Sequence, residues 1–191
     1  MMKAQTPMHL TSLSKRWRPL DGGAEECLFW RSALAEWIDG GCRDESRREW
    51  IANGIEAMQK SRNLVYQEWR ASWPERFLPV EAFKFRDVRV SGVSGSLAFK
   101  SSGTTLNQSV ATHVLDDTGW YDAISLAGFE WFYGAIGDWE VLALLPGYME
   151  RGQSSLVHMA RSFRRASGTA AVDEGFHLGE FDRLTKAVEL A

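Results

Sequence analysis

The residues best suited to chemistry lie in one short stretch, Phe99-Lys100-Ser101-Ser102-Gly103-Thr104-Thr105. Its glycine allows a sharp turn and leaves room for a ligand to approach the main chain. The four hydroxyl groups and the successive backbone N–H groups can surround an anion such as a phosphate chain. The stretch lacks the Gly-Lys-Ser/Thr ending of a Walker A loop, and the same residue types fill ordinary hairpin turns. Two interpretations therefore stand at this point, a phosphate-binding loop and a plain turn.

The composition predicts a globular protein with one good core or two small lobes. The chain has 191 residues, 45% hydrophobic and 25% charged, which is ordinary for such proteins. Its net charge of −3 offers no general attraction for nucleic acid. Cys27 and Cys42 lack a CxxC spacing, which argues against zinc and a disulfide scaffold and favours a reduced, cytoplasmic compartment. We find no apolar leader and no run of about 20 apolar residues, so we expect no signal peptide and no membrane span.

The first third of the chain predicts an arm followed by a helical hairpin. An apolar stripe at helical spacing predicts a first helix that ends at Gly40-Gly41. Ser46 and Glu49 have the spacing of a capping box, so they predict the start of a second helix, which continues to Pro74. We expect residues 1–76 to be this arm and helical region, packed on the core. The stripe consists of Phe29, Trp30, Ala33, Leu34, Trp37 and Ile38.

Residues 77–191 predict a small α/β lobe. Residues 77–84 are typical of an extended linker or the start of a short helix, because a proline interrupts an apolar run. Alternation around residues 88–90 predicts a strand, and residues 96–100 predict a returning strand that leads into the Ser/Thr loop. Residues 111–115 predict another short strand.

The second half of this lobe has the order expected of a βαβ unit. Asp117 or Thr118 caps a predicted helix that ends near Tyr133. The continuous apolar run at 141–145 fits a strand buried on both faces, as in a parallel sheet. A helix, a short strand at 176–178 and a terminal amphipathic helix follow it. Ser154 and Ser155 either cap the middle helix or donate to a ligand at its N-terminus.

A few charged or titratable residues outside the loop are further candidates. Lys100 can supply positive charge to a phosphate, or it is a solvated lysine at a strand end. His113 lines an acyl or nucleotide pocket, or it is an ordinary core or surface histidine. Glu150 and Arg151 follow the buried run and a Pro-Gly turn, at the edge where α/β sheets bind ligands. The alternative for that pair is a local salt bridge.

Several blocks taken together resemble the acyl-protein synthetase (LuxE) family of adenylate-forming enzymes. They follow the family's order across roughly residues 77–190, and the combination is fairly specific. The first blocks are Phe77-Leu78-Pro79, Phe83-Lys84, the Ser/Thr loop, and His113 with Asp116. The later blocks are Phe132-Tyr133-Gly134, Leu144-Leu145-Pro146-Gly147-Tyr148-Met149-Glu150-Arg151, Ser154-Ser155-Leu156-Val157-His158-Met159 and Gly175-Phe176-His177-Leu178.

The resemblance implies the start of the large domain of an adenylate-forming enzyme, as a nucleotide- and acyl-binding lobe. Such an enzyme activates a carboxylic acid, commonly a fatty acid, with ATP and Mg²⁺, and passes the acyl group from the acyl-adenylate to a thiol acceptor on a protein or carrier. The implied phosphate-binding residues are Lys100, Ser101, Ser102, Gly103, Thr104 and Thr105. The catalytic candidates are His113, Glu150 and Arg151.

Departures from the family pattern keep a second function open. Leu106 follows the loop where the family usually has glycine, and Gly147 stands where serine is usual. The chain ends before the segments that carry the adenine site, the catalytic acidic residues and the accepting cysteine in the family. We therefore expect either the N-terminal part of a ligase, as a fragment or as one half of a split protein that needs a partner chain, or a non-catalytic nucleotide- or acyl-binding protein that acts through a partner. A helical interaction module is a third interpretation.

Overall fold

A computed structural model describes residues 12–17, 25–95, 97–101, 110–146, 153–169 and 171–190. Helices predominate, and one small sheet accompanies them, which agrees with the α/β class at a coarse level. The described residues through Trp120 form one compact unit, and those from Tyr121 onward form a second. The domain boundary predicted after residue 76 stays a prediction.

The first unit begins with helices α1 (Leu13–Arg16), α2 (Glu25–Asp39), α3 (Glu45–Arg62) and α4 (Leu64–Ser72). Helices α2 and α3 pack together as the predicted helical hairpin. The stop of α2 at the glycine pair is confirmed, and Gly41 takes a φ of +80° there. Glycine reaches that left-handed conformation without the strain a side chain would add.

The predicted second helix is two helices. Asp44, two residues before Ser46, caps α3, and its Oδ1 accepts a hydrogen bond from the Arg47 N–H at 2.9 Å. The helix ends at Asn63, whose Oδ1 accepts the Tyr66 N–H at 3.2 Å and so caps α4. The predicted start at Ser46 was wrong, because Asp44 caps the helix instead. The predicted continuous helix to Pro74 was also wrong, because Asn63 satisfies backbone groups at the end of α3 and at the start of α4.

The rest of the first unit holds a short helix and a hairpin. Residues 77–84 were expected to be an extended linker or the start of a short helix, and helix α5 (Ala82–Phe85) begins near their end. Strands β1 (Leu97–Lys100) and β2 (Thr112–Leu115) confirm the two predicted strands, and they pair antiparallel. The strand predicted at 88–90 was wrong: the chain there runs past the end of α3, where the Ser91 N–H donates to the Arg62 carbonyl at 2.7 Å. The Ser/Thr loop therefore connects β1 to β2.

Helix α6 (Thr118–Tyr133) leads into the second unit, which also holds α7 (Ser155–Ala166) and α8 (Phe181–Leu190). Two predicted caps are confirmed. Asp117 Oδ1 accepts the Trp120 N–H at 3.0 Å at the start of α6, and Ser154 Oγ accepts the Val157 N–H at 3.4 Å at the start of α7. Among the described residues, no helix is both long enough and apolar enough to cross a membrane. Short 3₁₀ helices occupy Ile136–Asp138 and Val172–Gly175.

A single parallel bridge replaces the predicted parallel strands. Ala143 pairs with Phe176, and the His177 N–H donates to the Ala143 carbonyl at 2.9 Å. The order of extended segment, α7 and extended segment is as predicted, but neither 141–145 nor 176–178 forms a strand. The expectation of a strand buried on both faces was wrong, since Leu144 is 49% exposed.

Arg164 on α7 explains why the pairing stays so short. Its guanidinium donates to the Val172 carbonyl at 2.7 Å, to the Ala171 carbonyl at 3.1 Å and also to the Val141 carbonyl. The Val141 carbonyl thereby accepts a hydrogen bond from a side chain rather than from the backbone of a neighbouring strand. Arg164 is buried, and a Cβ on Gly175 would overlap its guanidinium. These three carbonyls offset the cost of burying the charge.

We expect Arg164→Met to lower the free energy of unfolding by about 2–4 kcal/mol, because it leaves buried carbonyls without donors. Arg165→Met removes an exposed guanidinium from the next position of the same helix. This variant should change the free energy of unfolding by less than about 0.5 kcal/mol. Urea denaturation followed by circular dichroism measures both. Equal effects of the two variants would contradict the role of Arg164.

We expect Gly54→Ala to destabilise the helical hairpin by about 1–3 kcal/mol, as overpacking does. A Cβ at this position of α3 would overlap the rigid Trp30 indole of α2. Gly128→Ala on α6 meets nothing within 4 Å and should be neutral or stabilise by up to about 1 kcal/mol, since alanine favours helix. Thermal unfolding of both variants tests this, and a neutral Gly54→Ala would show that the helices do not pack through this glycine.

Candidate functional site

A cavity of about 670 Å³ lies in the first unit, and its wall is mainly apolar. Helices α2 and α3, the segment after α4, helix α5 and strand β2 all contribute side chains to it. A space of this volume is in the range that encloses a small organic ligand. Its apolar wall includes Ala52, Ile55, Leu78, Val90, Val93 and Val114.

Two contacts fix the ends of the segment 76–91, which contributes several residues to the cavity wall. The Tyr66 hydroxyl of α4 donates to the Arg76 carbonyl at 2.5 Å, where the chain leaves the helical region. The Ser91 N–H donates to the Arg62 carbonyl at the end of α3. Asn63, which ends α3 and caps α4, lies between Arg62 and Tyr66, the two residues that make these contacts. The wall therefore depends on the break between α3 and α4 that the sequence did not reveal.

A cluster of charges forms one part of the cavity rim. Glu56 forms ion pairs with Lys60 at 2.7 Å, Arg76 at 2.9 Å and Arg70 at 3.3 Å. The hydrogen bond from the Lys60 ammonium, helped by the nearby guanidinium groups, lowers the pKa of Glu56. Glu56 thus stays ionised and binds these three cations to one another, which leaves the apolar part of the wall to receive a ligand.

A second ion pair lies where β2 ends. Arg31 of α2 grips Asp116 with two hydrogen bonds, Nη2 to Oδ1 at 2.6 Å and Nη1 to Oδ2 at 3.2 Å. Both residues line the cavity, and their side chains are 21% and 17% exposed. The neighbouring Asp117 is held differently, since its Oδ2 accepts the Trp17 indole N–H at 2.6 Å and its Oδ1 caps α6.

The register of the hairpin connects the cavity to the Ser/Thr loop. Val114 pairs with Ala98, and Thr112 pairs with Lys100. Paired residues share a face of a hairpin, and every second residue returns to that face. Lys100 therefore lies on the same face as Val114, which lines the cavity, and about 7 Å farther along the strands. This face leads from the apolar cavity to the start of the loop.

Two of the predicted phosphate-binding residues belong to the described chain. Lys100 is exposed at the end of β1. Ser101 continues the hairpin: its N–H donates to the Ala111 carbonyl at 3.0 Å, and its Oγ accepts the Ala111 N–H at 3.0 Å. A hydroxyl that accepts one hydrogen bond can still donate another, so Ser101 can serve both a turn and a ligand. Ser102, Gly103, Thr104 and Thr105 lie outside the described residues.

His113 pairs with Phe99, the residue before Lys100 on β1. Because successive residues of a strand point to opposite faces, His113 lies on the other face of the hairpin from Lys100. It is exposed, and its ring stacks on Phe83 with 4.2 Å between the centroids. Phe83 itself lines the cavity, so His113 contacts a residue of the wall. The structure therefore brings Lys100, Ser101 and His113 onto one hairpin. Glu150 and Arg151, the other catalytic candidates, lie outside the described residues.

Sequence reasoning assigned the helical hairpin to packing and missed its contribution to this site. Cys27 and Arg31 both line the cavity, and their spacing of four puts them on one face of α2. The sequence offered one signal for this site. It places an arginine one turn after a cysteine on a helix that is otherwise rich in apolar residues. Asp116 entered the sequence analysis only as part of a family block.

The described part of the site suits ATP phosphates better than it suits Mg²⁺. Lys100 and Ser101 offer an ammonium and a hydroxyl at the start of the loop. Mg²⁺ prefers carboxylate and phosphate oxygens, but Asp116 and Asp117, which follow β2, are both held by other side chains. In the described ranges no three His, Cys, Asp or Glu side chains form a group that could hold a metal ion. These residues therefore do not fit a protein-held Mg²⁺ ion.

Comparison with protein-family models, curated proteins and solved structures finds no match to this chain. The resemblance to the LuxE family thus stays a prediction, and the function has to be inferred from the site.

We expect the Cys27 thiol to react slowly with iodoacetamide at pH 7.5 and much faster above pH 9, because burial raises its pKa and the thiolate is the nucleophile. In a Cys42→Ser background, a probe that fills the cavity should slow the reaction further, since Cys27 lines it. Dodecanoate is the probe that the resemblance to the LuxE family suggests. Mass spectrometry measures the alkylation.

Cys42 provides the control, because burial also raises its pKa but it does not belong to the described lining of the cavity. In a Cys27→Ser background, dodecanoate should leave the alkylation of Cys42 unchanged. Equal protection of both thiols, or rapid labelling of Cys27 at neutral pH, would contradict the predicted behaviour.

Proposed function

We propose that this chain binds a carboxylic acid with an apolar tail, such as a fatty acid, and takes part in its ATP-dependent activation as the N-terminal part of a LuxE-like acyl-protein synthetase. One observation carries the proposal. The apolar cavity and the Ser/Thr loop share one hairpin, whose cavity face runs from Val114 to Lys100.

The cavity suits the tail of such an acid. Methylene groups packed against Ile55, Val93 and Val114 leave water, and each contributes about 0.8 kcal/mol to binding. With the tail against Val114, the carboxylate lies toward Lys100, whose ammonium lowers the cost of bringing a charge to the edge of an apolar space. The carboxylate, which is the reactive end of the acid, thereby faces the loop.

The chemistry requires positive charge and hydrogen-bond donors at this edge. When a carboxylate oxygen attacks the α-phosphate of ATP, a phosphorus–oxygen bond forms and pyrophosphate leaves with the electron pair. The two reactants are anions, so Lys100 and the donors of the loop lower the barrier by offsetting their repulsion. A thiol of a protein or carrier then takes the acyl group, and AMP leaves. We propose the cytoplasm as the compartment of this reaction, with the rest of the ligase supplied by the same protein or by a partner chain.

A second function, binding without turnover, is favoured by the contacts of two candidates. The Ser101 hydroxyl closes the hairpin and the His113 ring stacks on Phe83, so both have structural roles that need no reaction. In this alternative the chain holds a nucleotide or an acyl group and acts through a partner protein.

The test combines calorimetric binding with carboxylate-dependent ATP–pyrophosphate exchange, using acids of 8 to 16 carbons (about the lengths an acyl cavity of this size would take). We expect dodecanoate to bind the full chain and the Ser102→Ala/Thr104→Ala variant to lose ATP affinity while it keeps dodecanoate affinity. Ser109→Ala, in the same loop but outside the predicted phosphate-binding residues, is the matched control.

The possible outcomes separate the two functions. Acid-dependent exchange, with the chain alone or with a completing partner, supports the ligase. Acid binding without exchange in either case supports the binding protein. Absence of acid binding would refute the ligase and an acyl-binding protein, and would leave only a nucleotide-binding protein. An unchanged ATP affinity in Ser102→Ala/Thr104→Ala would refute the phosphate-binding role of the loop.

A further inference from the structure

One of the guanidinium groups that line the cavity, that of Arg31, lies at the end of β2 that is farther from the Ser/Thr loop. Val114 and Asp116 are two residues apart, and both line the cavity. Asp116 therefore lies on one side of Val114, while Lys100, paired with Thr112, lies on the other. Arg31 reaches the cavity at the Asp116 end, where its guanidinium forms two hydrogen bonds with that carboxylate.

Arg31 and Lys100 would compete for the carboxylate of any acid in the cavity. A guanidinium binds a carboxylate in bidentate fashion and holds it more firmly than an ammonium does. Arg31 is also the less exposed of the two, since its side chain is 21% exposed and Lys100 is at the surface. Asp116 lies four positions after Thr112, just beyond the end of β2, which is about 13 Å along an extended chain. An acid held by Arg31 would keep its carboxylate that far from the loop.

We propose that Asp116 sets the direction in which an acid enters the cavity. The other guanidinium groups of the lining are already paired, Arg48 with Glu49, Arg76 with Glu56 and Arg89 with Asp87. By occupying Arg31 as well, Asp116 leaves Lys100 as the cation that receives the carboxylate, so the tail enters first and the reactive end stays at the loop. This inference rests on the acid binding of the proposed function. Asp117 cannot take over this role, because the Trp17 indole and the Trp120 N–H hold its carboxylate, and its Oδ2 lies 4.0 Å from Arg31.

Asp116 is thus a positioning residue, and removing its charge should reverse the orientation of the bound acid in the cavity. In Asp116→Asn, a freed Arg31 should raise the affinity for dodecanoate about tenfold, as a charge-assisted bidentate contact does. The affinity for dodecanol, which has the same tail and no charge, should not change. Calorimetry on the full chain measures both ligands, with circular dichroism as the check on folding.

The contribution of Lys100 gives a readout that a purely structural role of Asp116 would not alter. Lys100→Met should weaken dodecanoate binding several-fold in the wild-type background and have no effect in the Asp116→Asn background. Dodecanol binding should be the same in all four proteins. An Asp116→Asn variant with unchanged dodecanoate affinity, or with equal changes for both ligands, would overturn the inference.

Arg31→Met tests the same idea independently, should Asp116→Asn fold poorly. In the wild-type orientation Arg31 does not touch the acid, so Arg31→Met should keep the preference for dodecanoate over dodecanol and its dependence on Lys100. Loss of that preference would place the carboxylate on Arg31 in the wild-type protein and overturn the inference. If neither ligand binds the wild-type chain, the proposed function itself fails; if both bind and Asp116 has no influence, only this inference fails.

Discussion

Two consecutive aspartates, Asp116 and Asp117, connect the elements of the first unit at the end of β2. Asp116 takes the guanidinium of Arg31 from α2, while Asp117 accepts the indole N–H of Trp17 and caps α6. Asp117 is 4% exposed, and removing a partner from a buried carboxylate is costly. The strand that carries Val114 is thereby fixed against α2, and the cavity between them depends on this junction.

Local sequence signals predicted the elements of the fold better than their pairing. Side-chain caps at Asp117 and Ser154 and the glycine stop of α2 were predictable, because each needs only residues within one turn. The break at Asn63 was not, since an asparagine within an otherwise helical pattern gives no sign that it will cap two helices at once. At the start of α3, the capping-box spacing of Ser46 and Glu49 favoured the wrong residue over Asp44.

Tertiary partners decided which extended segments became strands. Alternation at 88–90 and the apolar run at 141–145 both had strand character, but a strand requires a neighbour along its length. The first segment runs past the end of α3, and Arg164 takes a carbonyl of the second. The candidate site shows the same division. The sequence singled out Lys100, Ser101 and His113, which share a hairpin, while the cavity and Arg31 emerge only from packing between distant segments.

The account of function depends on an apolar tail occupying the cavity of the first unit. Methyl NMR with a fatty acid that carries a nitroxide at the tail end tests this most directly, because the radical broadens only nearby signals. We predict that one equivalent broadens the methyl signals of Ile55, Val93 and Val114, and that the same acid with its nitroxide reduced to the diamagnetic hydroxylamine broadens none of them. Uniform broadening of all methyl signals, or sharp signals from the three cavity methyls, would contradict the account.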